Sequence, residues 1–259
     1  MSVELGPAHL LSIGERVELF NRAYEGYVVP FQLDETMLAF MDNAFDIDLD
    51  ASRVAFREGD PVGLGQLGVR GEDAWIGGVG VVSAARRQGL GETLMRALND
   101  EARARGVQRV WLEVIVENIG AFALYEKLGY RVTRGLEVWS LPAKTEAGAA
   151  REVPFAQAHA RIRELHAPDE PWQRADGTLA HYADARGLET DAGAAVFRIG
   201  GVVQLLQIAG GDTYELLRAL REHGTVSVLN LPDDDRAAGS LRALGATAVV
   251  RQHEMLLEL

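Results

Sequence analysis

A short arginine- and glycine-rich segment, RRQGLG from Arg86 to Gly91, could bind phosphate groups. It directly precedes Glu92 to Arg105, a stretch rich in residues that favour helices. A glycine-containing loop before a helix leaves backbone N–H groups free at the positive end of the helix dipole, which favours phosphate. Arg86 and Arg87 add positive charge there. Taken alone, so short a segment is more simply a basic turn between a strand and an amphipathic helix.

Three further side chains follow at short intervals and could transfer protons or donate hydrogen bonds. Glu113 interrupts an apolar run, Asn118 comes five residues later, and Tyr125 seven residues after that. A carboxylate inside an apolar strand costs several kcal/mol unless it is paired, hydrated or used in function. An ionisable residue at the C-terminal end of a strand in an α/β sheet tends to line the ligand crevice, which favours a functional role for Glu113. The alternative interpretation is that Glu113 is a solvated carboxylate at the exposed end of its strand. For Tyr125 the alternative is an aromatic side chain that packs on the sheet.

Together these features resemble the GCN5-related N-acetyltransferase (GNAT) family. The loop matches the family signature Q/R-x-x-G-x-G/A at Arg86, Gly89 and Gly91. The segment from Asn118 to Tyr130 matches the family pattern N-x-x-A-x-x-L-Y-x-x-L-G-F/Y. The run WLEV at 111–114 resembles the same strand in the ribosomal-protein alanine acetyltransferases.

The resemblance implies an α/β fold with a mixed sheet and acetyl-CoA as the acyl donor, with no metal. Glu113 is then expected to remove a proton from the attacking amine, directly or through water. Tyr125 is expected to protonate the leaving thiolate, and a backbone N–H near Val81 to hold the oxyanion. The pantetheine arm and the diphosphate are expected to contact Val79, Gly80, Val81, Arg86, Arg87, Gln88, Gly89, Leu90, Gly91, Glu92 and Asn118.

The elements that position these residues follow from the hydrophobic pattern. A strand is predicted from Ala74 to Val82, with Gly77-Gly78 marking a β-bulge. In the family such a distortion separates this strand from the next one and frees backbone groups for the pantetheine amides. The other elements predicted around the site are helices over 10–24, 35–45, 92–105 and 120–128, and strands over 110–116 and 130–141.

The stretch that contains the second predicted helix is acidic. Residues 31–52 contain six Asp or Glu and no Lys or Arg. In the resembled family this region forms one wall of the acceptor site, so its acids would face an incoming ammonium group. A solvated helix face and loop is an interpretation at least as good.

Composition restricts the class of protein. The 259 residues carry a net charge of −12 and contain no cysteine. An acidic chain repels nucleic-acid backbones and suits a cationic amine acceptor, although acidity also serves solubility alone. The missing cysteine and the absence of any apolar run near ~18 residues indicate a cytoplasmic protein without a membrane segment. No two of the six histidines are spaced i,i+4, which gives no metal signature. The sequence leaves open whether the chain forms an oligomer.

The second half repeats the first in reduced form. Placing Leu128-Gly129 on Leu244-Gly245 gives an offset of 116 residues, at which Val110 falls on Val226. At this offset Leu229 replaces Glu113, Leu241 replaces Tyr125 and Asp234 replaces Asn118, so the catalytic chemistry is missing. We therefore predict a GNAT domain over 1–143, a linker over 144–151, and a degenerate GNAT-like domain without a cofactor loop over 152–259.

The predicted function is transfer of an acetyl group from acetyl-CoA to a primary amine of a small molecule or peptide, by direct attack in a ternary complex. The alternative is a non-catalytic acyl-CoA sensor or a protein-interaction scaffold, against which the retained Glu113 and Tyr125 argue. A nucleotide-binding domain is rejected, because Glu92 stands where a phosphate loop needs lysine, and because hairpin turns flank the G-x-G-x-x-G at 63–68.

Overall fold

The chain forms two compact units, described here from a computed structural model that covers residues 3–29, 31–145, 148–165 and 169–259. Unit 1 consists of 1–133 together with 253–259, and unit 2 consists of 134–252. The division differs from the linear one expected from the sequence at two places. Residues 134–141 belong to unit 2, and the C-terminal segment 253–259 belongs to unit 1. The predicted linker includes residues 146 and 147, which lie outside the described residues, and Arg151 already begins a strand.

Unit 1 contains a mixed sheet with four helices. Its helices are α1 (Ile13–Ala23), α2 (Glu35–Ala44), α3 (Leu90–Ala104) and α4 (Ile119–Lys127). Its strands, in spatial order, are β1 (Val3–Pro7), β2 (Arg53–Arg57), β3 (Asp60–Arg70), β4 (Asp73–Val81), β5 (Arg109–Ile115) and the end of β12 (Thr247–Glu258). Neighbours from β1 to β4 are antiparallel, and β4 runs parallel to β5. This confirms the predicted mixed α/β sheet, with element ends within about three residues of the predicted ones.

Local signals explain where the helices of unit 1 begin. Ser12 caps α1, and the side chain of Glu15 accepts from the backbone N–H of Ser12, forming a capping box. Asp34 caps α2 by accepting from the N–H of Met37 at 2.7 Å. Helix α3 buries Leu94, Leu98 and Ala102 at helical spacing.

Unit 2 repeats this order of elements. Its helices are α5 (Phe155–Leu165), α6 (Asp176–Leu179), α7 (Thr213–Leu220) and α8 (Arg236–Ala243). Its strands include, in spatial order, β6 (Arg131–Leu141), β11 (Val226–Pro232), β10 (Val203–Gly210), β9 (Gly193–Ile199), β8 (Arg186–Glu189) and β7 (Arg151–Val153). Strands β7 to β11 with α5 to α8 follow the same sequence of strands and helices as β1 to β5 with α1 to α4. The structure thus shows the same order of elements twice, and three of the four helices are shorter in the second copy.

The last strand of each copy, β6 in the first and β12 in the second, packs its apolar residues in the core of the other copy. Trp139 and Leu141 of β6 lie in the core of unit 2, where β6 pairs with β11. Met255 and Leu257 of β12 lie in the core of unit 1 with Leu112. The last strand of the first copy therefore completes the core of unit 2, and the end of the last strand of the second copy completes the core of unit 1.

Candidate active site

Strands β4 and β5 part in the middle of unit 1. Gln66 pairs with Gly78 and Leu67 with Ile76, so Gly77 is the extra residue of a β-bulge. The parallel pairing of β4 with β5 covers Asp73–Trp75 and Arg109–Trp111 and ends there. The predicted bulge and the predicted separation of the two strands are both confirmed. We call the space between the unpaired parts of β4 and β5 the unit 1 gap.

Backbone groups of β4 face this gap at alternate residues. The N–H of Val82 donates to the carbonyl oxygen of Val62 at 3.0 Å, so Val82 faces β3. Antiparallel pairing alternates, so Gly80 also faces β3, whereas Val79 and Val81 turn their N–H and C=O groups away from it. Of the three residues predicted to contact the pantetheine arm, Gly80 therefore has its backbone committed to the sheet.

The glycines of β4 accommodate an aromatic ring. A Cβ atom at Gly78 would lie 2.6 Å from the hydroxyl of Tyr24, and one at Gly80 would lie 2.9 Å from its ring. Tyr24 is the residue at which α1 ends, and its ring stacks on Phe20 with centroids 4.2 Å apart. The alternate glycines are a signal of this contact that the sequence analysis missed.

The arginine–glycine loop has the backbone geometry of an anion site. Gly89 adopts a left-handed conformation (φ +78°) as the N-cap of α3, and Arg87 also has a positive φ of +61°. Because Gly89 has no side chain, no side chain caps α3, and its first N–H groups are left to solvent or a ligand. Arg87, Gln88 and Gly89 are exposed, and Leu90 is buried at the start of the helix. Gly91 has open space around it, since a Cβ atom there would lie 3.8 Å from the side chain of Leu124.

Two of the loop's side chains are held by neighbouring residues. Gln88 accepts a hydrogen bond from Arg57 at 2.9 Å. The Glu92 carboxylate contacts Lys127 at 2.6 Å and Arg96 at 2.8 Å. Hydrogen bonds from these two cations lower the pKa of Glu92, and the larger effect comes from Lys127. The carboxylate at the start of α3 is thus compensated by cations and is not left facing an anion.

The Arg86 side chain points to a different partner from the one expected. Its Nε donates to the carbonyl oxygen of Val81 at 2.9 Å. Its Nη2 donates to the carbonyl oxygens of Ala23 at 2.8 Å and Glu25 at 3.2 Å. The guanidinium therefore joins the end of β4 to the end of α1. The expectation that Arg86 serves a diphosphate stays a prediction, and in this arrangement its guanidinium donates to carbonyl oxygens of the protein.

Glu113 lies on the unpaired part of β5. It is half-buried, and the indole Nε1 of Trp75 donates to its carboxylate at 2.8 Å. Trp75 is buried and packs edge-to-face on Phe45, with ring centroids 5.3 Å apart. Glu113 points away from the core face of β5, which carries Val110, Leu112 and Val114. The carboxylate is therefore not at a strand's exposed end but is held beside the unit 1 gap by an indole that the sequence analysis did not identify.

Tyr125 and Asn118 lie on α4, next to the same gap. Tyr125 is half-buried, with its ring 6.0 Å from that of Tyr130. Burial, and secondarily Tyr27, raises the pKa of Tyr125, so its phenol stays protonated through the neutral range. Asn118 caps α4 by accepting from the N–H of Ala121 at 3.2 Å and donates to the hydroxyl of Tyr27 at 3.4 Å. Asn118 thus connects α4 to the loop after α1.

Most of the acids between 31 and 52 are used inside the protein. Asp34 caps α2. The other pairs are Asp42 with Arg16, Asp46 with Arg70, Asp48 with Arg105, and Asp50 with His9. Four of the six acids thus have a basic side chain as partner, and Asp34 serves as a helix cap. That the stretch faces an ammonium group stays a prediction.

Strands β10 and β11 of unit 2 part in the same manner, but the gap is filled. Their pairing covers 203–205 with 226–228, and β10 has a register shift between Leu205 and Gln207. Gln207 donates to the carbonyl oxygen of Arg174 at 2.7 Å, and Arg174 donates to the carbonyl oxygen of Leu229 at 3.4 Å. Arg174 is buried and forms an ion pair with Glu170 at 2.7 Å. We call residues 170–174 the plug of the unit 2 gap.

The positions matched to the catalytic residues carry no such chemistry in unit 2. Leu229 is exposed and Leu241 is fully buried in the core. The N-cap of α8 is Asp235, one residue after Asp234, the residue matched to Asn118, and β11 has a register shift between Val228 and Leu231. Gly211, in the short loop before α7, donates its N–H to the carbonyl oxygen of Ala192 at 2.8 Å, so this N–H is not available to a ligand.

Metal clusters and membrane-spanning helices are both missing from the part of the chain that the structure describes. Nowhere in the described ranges do three or more His, Asp or Glu side chains gather closely enough to hold a metal ion. Among the helices of the described residues, none is both long and apolar enough to cross a membrane.

Comparison with known proteins agrees with this geometry. Residues 17–130 match the family model "Acetyltransferase (GNAT) family". Over 59 residues the chain is 44% identical to [Ribosomal protein bS18]-alanine N-acetyltransferase from Escherichia coli (strain K12), which covers 23% of this chain and 40% of the relative. The chain thus spans less than half the length of that curated relative.

Two solved structures share the fold over nearly the whole chain. A GCN5-related N-acetyltransferase from Sphaerobacter thermophilus superposes with a TM-score of 0.77 and 14% identity, covering 99% of this chain and 95% of that one. A tandem GNAT protein from the clavulanic acid biosynthesis pathway superposes with a TM-score of 0.67 and 15% identity, covering 99% and 98%. At these identities the likeness concerns the fold alone.

Proposed function

We propose that this protein is an N-acetyltransferase that moves an acetyl group from acetyl-CoA to a primary amine of a small molecule or peptide, by direct attack in a ternary complex. The proposal rests on the unit 1 gap, where β4 has an open edge and β5 carries Glu113. The glycine-capped N-terminus of α3 follows β4, and all three features lie within residues 17–130, which match the GNAT family model. A cytoplasmic location is part of the proposal and follows from the cysteine-free sequence.

The donor is expected along β4. The outward N–H and C=O groups of Val79 can pair with the pantetheine amides as an added strand would. The backbone amides of 87–92 and the charge of Arg87 are suited to the diphosphate. Asn118, at the start of α4, can reach the same arm. Acetyl-CoA supplies the acyl group as a thioester, and no metal is needed for its transfer.

Glu113 is proposed as the base. An alkyl ammonium with a pKa near ~10.4 needs about 4.6 kcal/mol to give a free amine at pH 7. A carboxylate within reach of the amine, directly or through water, accepts that proton as the nitrogen attacks. The Trp75 indole holds the carboxylate in place beside the gap.

Val81 and Tyr125 are proposed to act on the other side of the reaction. The Val81 N–H, turned away from β3, can donate to the carbonyl oxygen as its negative charge grows. Tyr125 then gives its proton to the departing sulfur. Its raised pKa keeps the phenol protonated but makes it a weak acid, so the transfer has to occur within a hydrogen bond.

Unit 2 is proposed to be a degenerate, non-catalytic copy. The plug joins β10 to β11, so a pantetheine arm would have to displace the buried pair of Arg174 and Glu170. The copy instead contributes β12 to the core of unit 1. Its role in this proposal is structural.

A thiol-release assay tests the function directly. The chain has no cysteine, so a thiol reagent reports only released coenzyme A. We expect saturable binding of acetyl-CoA by calorimetry and thiol release with at least one class in a panel of peptide N-terminal amines, polyamines, amino acids and aminoglycosides. Binding without turnover across the panel would instead indicate an acyl-CoA sensor. No binding at all would remove the proposal.

A further inference from the structure

Arg86 occupies the first position of the loop signature, yet its guanidinium is bound within the protein. It donates to three carbonyl oxygens, those of Val81, Ala23 and Glu25, at 2.9, 2.8 and 3.2 Å. These carbonyls belong to the end of β4, the last residue of α1 and the loop that follows α1. One side chain therefore fixes the loop after α1 to the strand that borders the gap.

The chemistry at the end of α1 favours this contact. The last carbonyls of a helix have no partner within the helix, and the helix dipole is negative there. A guanidinium brings both charge and several donors in a rigid plane, so it can bind carbonyls of two segments at once. A lysine carries the same charge at a single nitrogen and cannot reproduce that bridge.

The segment that Arg86 holds crosses the unit 1 gap. At one end, the Tyr24 ring lies on Gly78 and Gly80 of β4. At the other end, the Tyr27 hydroxyl accepts from Asn118 at the start of α4. The rings of Tyr24 and Tyr27 pack edge-to-face, with centroids 5.2 Å apart. Residues 24–27 thus run from β4 to α4, and a donor along Val79 would pass beneath them.

We propose that Arg86 is a positioning residue that fixes residues 24–27 across the unit 1 gap, and that its side chain is not a ligand of the donor's diphosphate. The side-chain cation for the diphosphate is then the exposed Arg87. The inference rests on the proposed function, in which the unit 1 gap binds the acetyl-CoA donor. Loss of Arg86 leaves the anion site of the loop intact and loosens the two tyrosines that frame the reacting groups.

Four variants of the full chain test this assignment. Arg86→Ala removes both the charge and the bridge, whereas Arg86→Lys keeps the charge and loses the bridge. Arg87→Ala removes the neighbouring charge. Arg22→Ala is the matched control, because Arg22 lies in the last turn of α1 with only a 4.0 Å contact to Glu18. The readouts are hydrogen exchange of the peptide covering 20–29, calorimetric binding of coenzyme A, and the melting temperature.

We expect Arg86→Ala and Arg86→Lys alike to speed exchange over 24–29 by about tenfold, the value for losing hydrogen bonds worth about 1.4 kcal/mol. Their Kd for coenzyme A should stay within about threefold of the wild type, and turnover with an accepted amine should fall by about tenfold or more. Arg87→Ala should show the reverse, a weaker Kd with unchanged exchange. Arg22→Ala should change none of these.

Three results would overturn the assignment. The first is a loss of coenzyme A affinity in Arg86→Ala that Arg86→Lys restores, which would make Arg86 a charge for the diphosphate. The second is wild-type exchange over 24–29 in both Arg86 variants. A fall in melting temperature that alone accounts for lost activity would also count against it. If the wild type itself binds no coenzyme A, the proposed function fails, while the exchange comparison still decides the role of Arg86.

Discussion

In unit 1, β4 and β5 stop pairing after Trp75, just before the bulge at Gly77, and the edge of β4 is left with outward backbone groups at Val79. In unit 2, β10 and β11 separate near a register shift as well, but Gln207 and Arg174 bridge the two strands through the plug. The same backbone distortion therefore leaves an open gap in unit 1 and a gap filled by side chains in unit 2. An opened sheet is a binding site only if the chain's own side chains leave it open, and in unit 2 they do not.

The two copies also differ in the loops that precede α3 and α7. Helix α3 begins at Gly89, which leaves the first N–H groups without a side-chain cap. In the other copy, the loop before α7 is shorter, and a Cβ at Gly210 would lie 2.2 Å from the carbonyl oxygen of Ala192. Glycine is thus required in both loops, but for an open turn in the first and for tight packing in the second. A glycine in the sequence does not reveal which of these it serves.

The largest expected effect comes from removing the proposed acid. Tyr125→Phe should lower kcat by about 10²- to 10⁴-fold, the range for general acid catalysis, with the Kd for acetyl-CoA within about twofold. Stopped-flow or steady-state thiol release measures the first and calorimetry the second. Tyr214→Phe, on an exposed tyrosine of α7, is the control and should change neither. Unchanged turnover in Tyr125→Phe would make Tyr125 a packing residue, as Leu241 is.

The next effect concerns the plug. Arg174→Met should lower the free energy of unfolding by about 3–5 kcal/mol, because the buried Glu170 carboxylate loses its ion pair with Arg174. The double change Glu170→Leu with Arg174→Met should recover much of that loss. Arg161→Met, which breaks the exposed pair with Glu164, should cost no more than about 1 kcal/mol. Equilibrium unfolding in urea measures all three.

The plug variants also test the contrast between the gaps. Coenzyme A should bind with a stoichiometry of one per chain in the wild type and in the double variant, because Leu229 and the short loop before α7 remain unsuited to it. A second bound coenzyme A in the double variant would show that the plug alone closes the unit 2 gap.

A somewhat smaller effect tests whether the end of β12 lies in the core of unit 1. Met255→Ala should destabilise the protein by about 2–5 kcal/mol, because Met255 is fully buried in the core of unit 1. Val249→Ala, on the exposed part of the same strand, should stay within about 0.5 kcal/mol. Chemical unfolding measured through tryptophan fluorescence separates the two. Similar losses in both variants would contradict the placement of 253–259 in unit 1.

The smallest effect separates the two glycines of the loop signature. Gly89→Ala should cost about 1–2 kcal/mol because φ is +78° there, and it should weaken acetyl-CoA binding. Gly91→Ala should be neutral or stabilise by up to about 1 kcal/mol, since Gly91 lies inside α3 and has room for a methyl group. Thermal unfolding and calorimetry together distinguish these outcomes. Equal behaviour of the two variants would contradict the assigned turn.

Much of the first copy could be predicted from its sequence because the signals are local. The glycine pair in β4 indicated the bulge, and Gly89 before a helix-rich stretch indicated the start of α3. The repeat at an offset of 116 residues indicated the second copy, although the cap of α8 is Asp235, one residue past the position matched to Asn118. The bulge and the start of α3 are decided by backbone preference over a few residues, whereas the repeat is a long-range pattern.

What the sequence determined by itself is therefore the order of elements, the strand distortion and the residues available for chemistry. Only the tertiary structure decided which partner each charge and each strand takes. Arg86 could serve a phosphate or three carbonyls, and an acid such as Asp42 could face an amine or Arg16. The apolar half of β12 fits either core by composition alone. Charge and hydrophobicity act without regard to distance along the chain, so these choices depend on which groups the fold brings together.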